Sequence, residues 1–150
     1  MLNRSTLFTQ EFSSCAPTIL SFGDVVQHIY EDLACRGFNV GIRCGEPFKS
    51  EIVWYTPQGP IVFIYPYSGT EEHPLNALWD MIHEWGHSFG DPPPCGYKCD
   101  GSPESLQRET RASNLGWSRA VESFPSLSER EHDFWRRHEE NLDTYRLHSR

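Results

Sequence analysis

An α+β fold in which a small antiparallel or mixed sheet packs against several helices is the architecture this sequence predicts. Three observations carry the prediction. Three short runs rich in β-branched and aromatic residues crowd between Phe38 and Tyr65, one amphipathic stretch precedes them, and three longer stretches of helical periodicity follow. At 150 residues the chain has the size of one ordinary domain, and a single domain spanning 1–150 is expected. A chain of this length buries roughly two-thirds of its unfolded surface, so a core needs no disulfide staples.

The first helix is read over Phe22 to Cys35, where Phe22, Val25, Val26, Ile29 and Leu33 recur at helical spacing and Gly37 follows as a stop. Strands are expected at Phe38–Cys44, Glu51–Thr56 and Ile61–Tyr65. The Pro57-Gln-Gly-Pro60 link makes the last two a hairpin, and Pro66 ends it. One face of this aromatic hairpin should cover a core, while the other exposes Trp54. From Pro74 the period changes. Leu75, Leu78, Trp79, Ile82, Gly86 and Phe89 form one helical stripe that should stop at Gly90. Ser102 is a natural N-cap and Pro103 a natural first residue for a helix running to Ser123, with Leu106, Glu109, Ser113, Gly116 and Ala120 on one face. Ser128-Glu-Arg-Glu131 reads as a capping box opening a last helix through Phe134, His138, Leu142 and Tyr145.

Thirteen Lys and Arg against 21 Asp and Glu give a net charge of −8. That balance argues against wrapping a nucleic-acid backbone or lying on an anionic membrane, so neither partner is expected. Residues 1–21 break their short apolar runs with Thr, Gln, Glu and Ser, leaving neither a secretory core nor a span of about 20 apolar residues. Of five cysteines only Cys95 and Cys99 lie close together, and reduced thiols in the cytoplasm are the expectation.

The most specific feature is His83-Glu84-Trp85-Gly86-His87. Two His four apart on a helix project in nearly the same direction, so both imidazoles can reach one Zn²⁺. The intervening Glu84 lies about 100° round the helix from His83, off the ligand direction, where it can take a proton from a metal-activated water and pass it to a leaving amine. A third ligand is needed. Position 93 is Pro, so no third His stands at the short spacing that some zinc enzymes use. Glu109 is favoured, because a carboxylate on the inward face of its helix is costly to bury unless paired, and a metal pairs it. Small Ala112, Ser113 and Gly116 beside it allow two helices to approach closely. Glu104 is the rival, although its place in a first helical turn is already explained by helix polarity. Tyr97 is the first candidate for a donor to a developing oxyanion, with Tyr145 and His138 behind it.

The run Ile82-His-Glu-Trp-Gly-His87, preceded by a strand pair and followed by Glu109-Thr-Arg-Ala112, resembles the zincin-like metallopeptidases of the ImmA/IrrE kind. The resemblance implies a zincin-like fold over roughly residues 51–121, His83, His87 and Glu109 as zinc ligands, Glu84 as catalytic base, and a protein or peptide as substrate. The Pro92-Pro-Pro-Cys-Gly-Tyr-Lys-Cys99 insert and the absence of a helix-turn-helix segment depart from it. The competing expectation is a catalytically degenerate zincin-like module that binds a protein partner as inhibitor or adaptor.

Overall fold

The computed structural model describes residues 3–148. The chain forms two compact units, one ending at Met81 and one beginning at Ile82.

The first unit opens with a helix absent from the sequence reading, α1 (Arg4–Cys15). Asn3 starts it by accepting the Thr6 amide on its side-chain oxygen at 2.9 Å. Phe8 and Phe12, four apart, are its apolar anchors and both are buried. A 3₁₀ turn at Pro17–Phe22 leads into α2 (Gly23–Cys35), which buries Val25, Val26, Ile29 and Leu33 as the periodicity requires. Gly37 terminates α2 with φ +91°, and its backbone amide and that of Phe38 turn back to the Ala34 and Leu33 carbonyls. Only glycine adopts that left-handed conformation freely.

Strands β1 (Asn39–Ile42), β2 (Glu51–Val53) and β3 (Ile61–Ile64) make a mixed sheet in the order β1-β3-β2. All three are shorter than their sequence patterns. The hairpin expectation holds: β2 pairs antiparallel with β3, Ile52 opposite Val62. Between them Gly59 takes φ +88° and closes a tight turn onto the Thr56 carbonyl. The pairing of β1 with β3 is parallel. As the central strand, β3 has neighbours on both edges and buries Val62 and Ile64, which accounts for its unbroken apolar run. Helices α1 and α2 pack on β1. Trp54 is half-buried edge-on to Phe38, at 5.7 Å between ring centroids, and the exposed aromatic of the hairpin is Tyr55.

Helix α3 (Asn76–His87) runs out of the first unit into the second. It ends three residues short of Gly90. The second unit continues with α4 (Pro103–Ser123), whose boundaries match the sequence reading, Ser102 accepting the Ser105 amide at the N-cap. A 3₁₀ turn at Pro125–Arg130 precedes α5 (Glu131–His148). Ser128 is therefore not a helix cap. Its hydroxyl donates to the Pro125 carbonyl at 2.8 Å and serves the turn instead. Helices α4 and α5 pack together with this turn, around Trp117 stacked on Phe134 at 4.5 Å and around buried Ala120, Leu127 and Leu142. The α+β expectation thus holds, with a small mixed sheet and helices that include the one bearing the His-Glu-x-x-His motif. Among the described residues no helix is long and apolar enough to cross a membrane.

Candidate metal centre

The last turns of α3 meet α4 at a contact between main chains. A Cβ placed at Gly86 would lie 1.8 Å from the Ala112 carbonyl oxygen, and one at Gly116 would lie 2.1 Å from the Ile82 carbonyl oxygen. Two glycines therefore sit where no side chain fits, and the two helices touch backbone to backbone. This proximity is what allows Glu109, one turn before Ala112, to reach across to the histidines.

His83 Nε2 stands 3.0 Å from Glu109 Oε1, and His87 Nε2 stands 3.2 and 3.1 Å from the two carboxylate oxygens. One potential ligand atom from each of the three residues falls within 4.8 Å of the others. Two imidazole nitrogens and a carboxylate are the donor set of a catalytic zinc site, which retains an open position for water or substrate. Burial pushes His87 below the ordinary imidazole range, against the pull of Glu109 upward. Burial by itself raises Glu109, but hydrogen bonds from His83 and His87 outweigh it and hold the carboxyl well below the usual range. The result is a neutral imidazole and an ionised carboxylate, the protonation states a divalent metal requires. Glu84, next to His83, is buried at 6% exposure.

Behind His83 lies a feature that sequence reasoning missed. His83 Nδ1 is 2.7 Å from Ser113 Oγ, and Ser113 Oγ is 2.8 Å from His138 Nδ1 on α5. His138 Nε2 is in turn 3.3 Å from Thr110 Oγ1. In sequence Ser113 is only a small residue on an inward face, and His138 stands behind Tyr97 as a candidate oxyanion donor. Burial, with the nearby His83, lowers His138 to about 4. Its two ring nitrogens face hydroxyls, Nδ1 that of Ser113 and Nε2 that of Thr110. The signal available in sequence was a His on the apolar stripe of the last helix, and nothing local said which helix it would meet.

Tyr97 lies in the loop before α4. Its hydroxyl is 2.9 Å from Ser105 Oγ, and the Arg108 guanidinium lies 5.5 Å from its ring centroid. Burial pushes the Tyr97 phenol above its ordinary pKa, with Cys99 and Glu109 adding to the effect, so it keeps its O–H. Burial and then Glu109 push the Cys99 thiol up to about 11. Among the described residues neither Cys95 nor Cys99 joins a group of three possible metal ligands. Glu104 is exposed in the first turn of α4, where helix polarity explains it.

Two measurements follow from this placement. Glu109→Gln keeps the size of the side chain and removes its charge. It should weaken zinc by more than the roughly 10–100-fold that loss of an outer-shell partner costs, whereas Glu104→Gln should leave affinity unchanged. Competition against a chromophoric chelator reads both, and reversed effects would assign the wrong carboxylate. Because a site built from two helices exists only in the folded chain, zinc at about 100 times its Kd should add about 2.7 kcal/mol. Chelation should then lower Tm by roughly 5–10 °C, restored by added zinc. An unchanged Tm would mean that no preformed site bridges α3 and α4.

The cluster of His83, His87 and Glu109 with Glu84 beside it is a zincin-type arrangement, a His-Glu-x-x-His pair completed by a downstream Glu, and it forms a zinc-dependent metallopeptidase-like site. Comparison with known proteins gives no matching family model, no matching curated protein and no matching solved structure.

Proposed function

We propose that this protein hydrolyses a peptide bond in a protein or peptide substrate, using zinc held by His83, His87 and Glu109. The observation that carries the reading is the meeting of these three ligands, from two helices, beside Glu84, a buried glutamate that is not one of the ligands. A structural zinc site closes its coordination with four protein ligands and has no use for such a base.

When bound, zinc supplies a Lewis acid that polarises the scissile carbonyl and lowers the pKa of water toward neutrality. Glu84 accepts the proton as water oxygen attacks the carbonyl carbon. It then delivers that proton to the amide nitrogen, so that the C–N bond breaks and an amine leaves. Tyr97, turned from Ser105 toward substrate, donates its hydroxyl to the oxygen on which negative charge develops. Residues 1–150 act as one metallopeptidase domain whose chemistry is carried by the second unit. The protein works in the cytoplasm, where its five unbridged cysteines stay reduced.

The direct test incubates the zinc-loaded protein with a proteome-derived peptide library and maps the new amino termini by mass spectrometry. The expected result is a defined set of new termini that disappears on chelation and returns with zinc. A purified protein that takes up no zinc from an equimolar solution would overturn the proposal.

A further inference from the structure

The hydrogen bonds behind His83 run from the site to the last helix of the chain through atoms that can each carry a proton. A carboxylate only accepts, so when His83 bonds Glu109 its proton is on Nε2 and its Nδ1 is an acceptor. A metal ion on Nε2 demands the opposite tautomer, with the proton on Nδ1. Ser113, fully buried, has two hydrogen-bond partners for its Oγ, His83 Nδ1 and His138 Nδ1. Its single O–H can point to one imidazole while its oxygen accepts from the other. The direction of the whole chain is therefore tied to the atom that His83 presents to the metal.

We propose that Ser113 and His138 are positioning residues that set the tautomer of His83, and that loading a metal on His83 reverses the direction of the hydrogen-bond chain from His83 through Ser113 to His138. The inference rests on the metal site of the preceding subsections, and it concerns ligand basicity and orientation, not the reaction itself. In one direction His138 Nδ1–H donates to Ser113 Oγ, Ser113 O–H donates to His83 Nδ1, and His83 Nε2–H donates to Glu109. In the other, His83 Nδ1–H donates to Ser113 Oγ, Ser113 O–H donates to His138 Nδ1, and His138 Nε2–H donates to Thr110 Oγ1. Between the two, one proton leaves His83 Nε2 for solvent and one enters His138 Nε2 from solvent, so all three groups stay neutral and no proton is lost.

The arrangement explains why an imidazole occupies this place in α5. A terminal acceptor that merely took a proton from Ser113 would serve one direction only, while a neutral imidazole serves both by exchanging its nitrogens. It also gives α5 a function at the site. His138 is held edge-on by Trp135 at 5.2 Å between centroids and is 5% exposed, so its ring cannot turn away without opening the packing.

Long-range ¹H–¹⁵N spectra of the full chain, chelator-treated and then with one equivalent of zinc, read the tautomers directly. The expected result is a His138 protonated at Nδ1 without zinc and at Nε2 with it. Variants provide the second arm. His138→Leu should weaken zinc about 10–100-fold. His138→Asn, whose Oδ1 reaches the position of Nδ1 and accepts from Ser113, should stay near the wild-type affinity, the reverse of what a purely apolar packing role demands. Melting curves on each variant establish that it folds. Tight zinc binding with the same His138 tautomer in both states, or equal affinities for the Leu and Asn variants, overturns the chain and leaves the site standing. Failure of the wild-type protein to bind zinc at all overturns the site beneath it.

Discussion

Glu84→Gln protein is expected to fold, to hold one zinc per chain, and to lose peptide hydrolysis by about 10²–10⁴-fold in kcat. The substitution keeps the shape of a buried side chain and leaves all three ligands in place, so neither packing nor metal affinity should change greatly. What it removes is the only group assigned to move a proton between the attacking water and the leaving amine. A ligand substitution such as His87→Ala should behave differently and lose metal and turnover together. The measurement pairs zinc content with turnover on a substrate identified by terminus mapping, because a narrow peptidase can ignore a generic one. Full activity from folded, zinc-loaded Glu84→Gln protein would end the hydrolase assignment and leave a docking module in its place.

Gly86→Ala should be the most damaging single methyl group in the second unit. The added carbon would meet a main-chain oxygen at 1.8 Å, far inside contact distance, and the obstructing atom belongs to the backbone of Ala112. No rotamer change relieves such a clash. Either the two helices move apart or the end of α3 distorts, at a cost of about 3 kcal/mol or more. Thermal unfolding should shift down by roughly 6–12 °C, and zinc affinity should fall with it, since Glu109 retreats from His83 and His87 as the helices separate. Trimming Ala112 to Gly in the same chain should rescue neither property, because its side chain is not the obstacle. A Tm within a degree of wild type would show that the helices do not approach as described.

The parts of this molecule that were legible in sequence were those fixed by local chemistry. Helix α4 begins and ends where Ser102, Pro103 and the periodic face say it does, because a cap and a first-turn proline act within four residues of themselves. Glu109 was legible for a different reason. An acid on an apolar stripe has to be compensated, and the nearest unexplained chemistry was the histidine pair. Helix α1 was not legible, since its apolar anchors reduce to Phe8 and Phe12 among Ser, Thr and Gln, and the packing that stabilises it comes from α2 and β1. The parallel pairing of β1 with β3 skips a strand and leaves no local trace. Ser128 misled because a capping box and a 3₁₀ turn draw on the same residue types, and the choice between them falls to the packing of Leu127, buried beside it. The partners of His138 were hidden for the plainest reason: a hydrogen bond between helices is a property of their meeting.

The main-chain contact at Gly86 and Gly116 also has a mechanical meaning. Carbonyl oxygens and amides already at touching distance form a one-sided stop. The helices can be pulled apart against soft side-chain packing, but they cannot be pressed closer, because nothing compressible lies between them. The span between the histidine pair and Glu109 therefore has a floor set by peptide geometry, independent of which side chains surround it. Sequence drift elsewhere in α3 and α4 can loosen this gauge but cannot shorten it, so the centre is calibrated by two positions that contribute no side-chain atom at all.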